Sequence, residues 1–224
     1  MLLLVTDTSG RNGNVALVRA GEPDAHEVAV IEVSALSGGT FSAQLVPQIA
    51  DLLAAHGLPK GDIGAFVVVS GPGSFTGLRV GLAAIKALAE ILRKPIVAVS
   101  LLEAVALAGA AQGNVASVLD AGRGDVYLGK FQVVGESAQA LGEELLPKDS
   151  FLSAAHEFAI ATPDLALAEL ARNAGRSVSV VEPVGAEAIS RLGWKKLQAG
   201  ESISPEQLEA NYVRRDDEIF AKSS

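Results

Sequence analysis

The chain has 224 residues, 49% of them hydrophobic and 20% charged, with a formal net charge of −8 and no cysteine. A chain of this length and apolar content buries its own core, which excludes a disordered or fibrous protein. The lack of Cys excludes disulfide scaffolds, zinc ribbons, iron–sulfur clusters and thiol chemistry, and suits a reducing compartment. A protein that binds nucleic acid alone needs a basic stripe. Here the only adjacent basic pairs are Arg93-Lys94, Lys195-Lys196 and Arg214-Arg215, so nucleic-acid binding by the isolated chain is expected to be weak and quickly lost with salt. The apolar run Met1 to Val5 has no preceding basic region and ends at Asp7, unlike a signal peptide. Lys86 and Glu103 interrupt the two longest apolar stretches, which stay short of the ~20 residues of a membrane span. A soluble, cytoplasmic protein with no membrane partner is expected.

Leu2 to Thr6 reads as an apolar strand, Ser9 to Gly13 as a turn with an Asn-Gly hairpin signal, and Val15 to Val18 as the returning strand. A turn from Gly21 to Asp24 leads to a third strand, Glu27 to Val33. The period then lengthens. Phe41, Leu45, Ile49, Leu52 and Leu53 form a helical stripe over Phe41 to Ala55, with Pro47 expected to bend it or to mark its regular start. A strand from Ala65 to Val69, a helix from Phe75 to Leu92, a strand from Ile96 to Val99 and an apolar helix from Leu101 to Ala111 follow. The pattern then restarts: Val115 to Leu119, the turn Asp120-Ala121-Gly122-Arg123-Gly124, and Val126 to Val134. Both halves thus open with an apolar strand that ends in Asp before a glycine hairpin. After Gly135 to Pro147, read as a polar stretch, come helices near Leu165 to Ala171 and Ala186 to Ala199 and a charged tail. Two lobes are expected, 1–105 and a smaller, less regular 106–224, with the boundary near residues 100–113.

The segment with most chemical content is Ser70-Gly71-Pro72-Gly73-Ser74-Phe75-Thr76-Gly77-Leu78-Arg79-Val80-Gly81. A strand, a glycine loop and a helix can offer backbone N–H groups to an anion. Leu78-Arg79 replaces the Lys-Ser/Thr of a P-loop, and Thr76 fills the sixth place of a dinucleotide fingerprint. The bland reading is favoured: a rigid turn, a helix capped by Ser74 or Thr76, and Gly77 and Gly81 one turn apart. A glycine inside a helix costs about 0.5–1 kcal/mol relative to Ala. Two on one face imply a close backbone neighbour, expected to be another helix.

This loop closely resembles the signature of the TsaB (YeaZ) family. Asp7-Thr8-Ser9, Phe41-Ser42 through Leu45-Val46-Pro47, Lys94 to Glu103, Asp120 to Tyr127 and Tyr212-Val213-Arg214 resemble its other motifs in order. Phe41 stands where the family usually has His, and Ala210 where it often has Pro. The resemblance implies an α/β, actin/Hsp70-like (ASKHA) fold of duplicated lobes, each a mixed sheet with an antiparallel meander and flanking helices. It implies a non-catalytic dimerisation subunit. Such a subunit binds and activates a TsaD-like threonylcarbamoyltransferase that modifies the adenosine beside the tRNA anticodon, with a TsaE-like ATPase as a further partner. A homodimer is expected when the chain is alone, and tRNA contact only within the complex. The implied partner surface is the first two helices. The residues named for it are Phe41, Leu45, Ile49, Leu52, Gly77, Leu78, Gly81, Leu82 and Ile85.

The alternative is a stand-alone ATP-using transferase or a glycoprotease-like enzyme of the same fold. Ser100 to Glu103 stands where the catalytic relative carries metal-binding histidines, and His26, His56 and His156 are scattered. No metal, no cofactor and no catalytic residue is expected. Asp7 and Asp120 could hold a metal for kinase-like chemistry, but turn capping explains both.

Overall fold

The computed structural model describes residues 1–21 and 28–213. Glu27, His26, the turn through Asp24 and the Arg214-Arg215 pair lie outside them. The strands are β1 (Leu2–Asp7), β2 (Gly13–Ala20), β3 (Val28–Leu36), β4 (Ile63–Gly71), β5 (Ile96–Ser100), β6 (Gly113–Gly122), β7 (Asp125–Val134), β8 (Ser137–Pro147), β9 (Ala159–Thr162) and β10 (Val178–Val180). The helices are α1 (Phe41–Ala55), α2 (Phe75–Leu92), α3 (Leu101–Ala108), α4 (Phe151–Ala154), α5 (Leu165–Asn173) and α6 (Ala186–Gln198). They form two compact units, Met1–Ser100 with Gly185–Asn211, and Leu101–Val184 with Tyr212 and Val213.

In the first unit β1, β2 and β3 form an antiparallel meander, β4 lies parallel beside β1, and β5 parallel beside β4. The order is β3-β2-β1-β4-β5. Leu3, Leu4 and Val5 have no exposed surface, as befits a strand covered on both faces. Leu2 and Leu4 join Phe66, Val68 and the inner residues of α1 and α2 in one core. Val67 points the other way, against Gly193 of α6. Ile189 and Trp194 of α6 are buried as well. This corrects the expected division at 105/106, which placed residues 185–211 with the second lobe. The amphipathic face of α6 covers the second side of the first sheet.

The second unit repeats the topology. β6, β7 and β8 form a meander, β9 lies parallel beside β6, and β10 parallel beside β9. Counted from its first strand, each sheet has the order 3-2-1-4-5, so the repeated strand–Asp–glycine turn belongs to two copies of one arrangement. One face of the second sheet packs on α3 through Leu102, Val105 and Ala106, the other on α4 and α5 through Phe151, Leu167 and Ala171.

Two local expectations need correction. Ser137 to Pro147, read as a polar stretch, is an eleven-residue strand. It contains no β-branched or aromatic residue, and it is held by pairing with β7, interrupted by one register shift at Leu141, and by a 2.8 Å Lys130–Glu144 ion pair; the neighbouring strand outweighs propensity. The helix α3 ends at Ala108, because Ala110 turns left-handed with φ 53°. The helix α1 spans the expected Phe41–Ala55, with Pro47 inside it and not at its start.

Arg176 is a structural residue that composition does not reveal. Its guanidinium donates to the carbonyls of Ala155 at 2.5 Å, His156 at 2.6 Å and Phe158 at 3.1 Å, closing the end of α4. Arg176→Ala is expected to cost about 2 kcal/mol in urea unfolding. Arg176→Lys should recover part of it, since the three carbonyls converge on the single nitrogen Nη2, while the Nη1 contact to the Leu152 carbonyl at 3.4 Å would be lost. Unchanged stability of both variants would remove this role.

Candidate functional site

The end of β1, the loop after β4 and the first turn of α2 meet in the first unit. Ser74 caps α2: its Oγ accepts from the Gly77 N–H at 3.2 Å, and its own N–H donates to the Ser9 carbonyl at 2.7 Å. Gly71 has φ 135°, and a Cβ there would stand 2.7 Å from the Asn211 carbonyl oxygen. The Asn211 N–H in turn donates to the Ser70 carbonyl at 2.8 Å. The loop glycines thus admit neighbouring backbone from Ser9 and Asn211. The same holds further along α2: a Cβ at Gly77 would overlap the Thr8 carbonyl oxygen, and one at Gly81 the Thr8 hydroxyl. The expected helix neighbour is therefore replaced by Thr8, immediately after β1.

Asp7 and Asp120 occupy matching places in the two hairpins. Asp7 Oδ1 accepts from the Ser9 N–H at 2.8 Å and the Ser9 hydroxyl at 2.6 Å. Asp120 Oδ1 accepts from the Gly122 N–H at 3.2 Å. Both are turn caps. Burial raises the Asp7 carboxyl above its usual value of 3.8, and the two hydrogen bonds from Ser9 oppose this without cancelling it. Folding then favours the protonated form. That stabilisation is complete below the ordinary value and is lost as pH rises through the raised one. At neutral pH the carboxylate costs stability, so Asp7→Asn, which keeps an acceptor for Ser9, is expected to melt higher than the wild type at pH 7. The advantage should shrink as pH falls towards 3.8. A lower melting temperature for Asp7→Asn at pH 7 would contradict it.

Two histidines sit beside carboxylates, His56 Nε2 at 2.7 Å from Glu32 Oε2 and His156 Nε2 at 3.3 Å from Glu157 Oε1. Among the described residues no group of three or more His, Cys, Asp or Glu is placed to hold a metal, and no helix is long and apolar enough to cross a membrane.

The residues named from sequence as partner contacts lie inside. Phe41, Leu45, Ile49 and Leu52 of α1 are at most 6% exposed, and Leu78, Leu82 and Ile85 of α2 at most 5%. Gly77 and Gly81 are buried against Thr8. Phe41, Leu45, Ile49, Leu52, Leu82 and Ile85 share one core in the first unit, so these side chains face the sheet. The largest apolar side chains of each helix went to the sheet, where burial gains most.

The opposite faces were missed. On α1, Ala43, Val46, Ala50 and Ala54 are exposed, spaced at three and four residues on one stripe. On α2, Ala83, Ala87 and Ile91 are exposed, flanked by half-buried Val80, Ala84 and Leu88. Val46 is 49% and Ile91 72% exposed. The two helices are neighbours over one core. Polar residues sit to either side: Gln48 of α1 accepts from the Ser34 hydroxyl of β3 at 2.8 Å, and Arg79 of α2 lies over the Phe75 ring at 3.8 Å. Small outward side chains carry no strong periodic signal, which is why sequence alone passes over them. A cleft of about 440 Å³ opens beside this strip, between the β1–β2 turn, the loop before α1 and the first turn of α2.

Comparisons with known proteins agree with this architecture. The family model of TsaD, tRNA N6-adenosine threonylcarbamoyltransferase, matches residues 35–204. The tRNA threonylcarbamoyladenosine biosynthesis protein TsaB of Bacillus subtilis is 32% identical over 69% of this chain and 63% of its own length. TsaB of Escherichia coli is 32% identical over 59% of this chain and 55% of its own. The matched part thus spans less than two thirds of these relatives. The structure of YeaZ from Pseudomonas aeruginosa superposes with a TM-score of 0.71 at 25% identity, covering 93% of this chain and 99% of that one. With its two mixed sheets of one topology, the fold is of the actin/Hsp70-like type. The chain belongs to the TsaD-type family of tRNA N6-adenosine threonylcarbamoyltransferase, and within it to the TsaB (YeaZ) branch.

Proposed function

We propose that this protein is a non-catalytic subunit in tRNA threonylcarbamoyladenosine biosynthesis, which binds and activates a TsaD-like threonylcarbamoyltransferase through the outer faces of α1 and α2. The observation that carries this reading is the uncovered apolar strip of Val46, Ala50, Ala83, Ala87 and Ile91. Contiguous exposed apolar surface marks interfaces, and small side chains let helices approach closely. The nine buried residues act indirectly, by fixing the pose of both helices on the sheet. Family membership supports the pathway, and the names of the TsaB relatives supply the reaction.

The groups that would serve a stand-alone enzyme have structural partners: Ser74 caps α2, and Asp7 and Asp120 cap their own turns. A TsaE-like ATPase joins the assembly, the strip pairs two copies when the transferase is missing, and tRNA is met only within the complex. Co-purification with the transferase tests the reading. The expected result is a stable complex with faster threonylcarbamoyl transfer than the transferase alone achieves. ATP turnover by this chain alone, abolished by changing Asp7 or Asp120, would overturn it.

A further inference from the structure

We propose that the cleft beside the helix strip receives a carboxylate-bearing segment of the protein partner, with Arg11 as its counter-ion. This rests on the reading of α1 and α2 as the partner-binding helices. The cleft, about 440 Å³, has no Asp or Glu in its lining, although the chain carries a net charge of −8. Arg11 lines it, is exposed, and makes no ion pair or side-chain hydrogen bond among the described residues. Its backbone is nevertheless held in place, because the Gly38 backbone packs directly on the Arg11 carbonyl. A fixed turn thus presents a free guanidinium, which matches a carboxylate with two parallel N–H donors.

The rest of the lining suits the remainder of an acidic segment. Asn12, Ser42 and Thr76 bring exposed polar groups to the rim, while Phe41 and half-buried Val80 supply an apolar wall. Ser42 and Val80 also belong to α1 and α2, so the cleft continues the apolar strip rather than standing apart from it. A partner laid along the strip would carry its acid into the cleft, and charge complementarity of this kind fixes the register of an interface.

The test is calorimetric titration of the purified threonylcarbamoyltransferase into wild type, Arg11→Glu, Arg11→Gln and Ser42→Glu, with melting curves for each. Arg11→Glu is expected to weaken binding about thirtyfold, and Arg11→Gln less. Ser42→Glu places an acid in the first turn of α1, where it favours the helix, so it should weaken binding without lowering the melting temperature. Lys60→Glu makes the same charge change as Arg11→Glu at the opposite end of the sheet and is expected to stay within about twofold of wild type. If Arg11→Glu and Ser42→Glu both bind like Lys60→Glu, the cleft proposal is overturned while the helix reading stands. If the wild type itself does not bind, both fall. If inorganic phosphate or a nucleotide occupies the cleft and Arg11→Glu leaves partner affinity unchanged, the occupant is a small anion and the proposal is likewise overturned.

Discussion

Gly81→Leu is expected to destabilise the first unit strongly rather than simply to release a partner. A Cβ at this position would overlap the Thr8 hydroxyl, and the Thr8 Cβ and Cγ2 would each stand 3.1 Å away. The remaining leucine atoms would have to enter a core that already holds Leu78, Leu82 and Ile85 with almost no exposed surface. Such overpacking costs about 3 kcal/mol, a large part of the stability of an ordinary domain. The three nearest atoms all belong to the Thr8 side chain, so Thr8→Gly should restore much of what Gly81→Ala loses. Urea unfolding of the two single variants and the double variant measures that coupling. A Gly81→Leu protein with wild-type stability would show that α2 does not rest on Thr8.

Ala50→Arg in α1 and Ala83→Glu in α2 are expected to behave in the opposite way. Both positions are exposed and point away from the sheet, and surface substitutions of this kind change stability by about 0.5 kcal/mol or less. Each would bury an unpaired charge at the centre of the proposed contact, so affinity for the transferase should fall by about 100-fold or more. Each should also dissolve the homodimer proposed to form through the same strip. Sedimentation of the free protein and titration of the complex read the two effects separately. Retained binding by both folded variants would place the partner elsewhere on the chain.

The contrast between these variants indicates what the sequence discloses. The 3.6-residue period delimits α1 and α2 to the residue, and the paired Asp-to-glycine turns reveal the duplication, because both signals are local. A stripe against a sheet and a stripe against a partner have the same period, however. Leu45 and Ile49 are the conspicuous residues of α1, and they are conspicuous because they fill the core. The outward alanines are legible only once the core is known. Other features depend on distant chain. Strand β8 exists because β7 offers it a partner, α6 returns to a sheet completed some ninety residues earlier, and Arg176 gathers carbonyls that no sequence spacing brings together.

The most direct measurement is the rate of threonylcarbamoyl transfer to tRNA by the cognate transferase, with and without this protein, using wild type, Ala50→Arg, Asp7→Asn and Asp120→Asn. A non-catalytic subunit acting through its helices requires that transfer depend on the wild-type chain, fail with Ala50→Arg and persist with Asp7→Asn and Asp120→Asn. Transfer that is indifferent to Ala50→Arg, or that stops with either aspartate variant while binding stays intact, would contradict it.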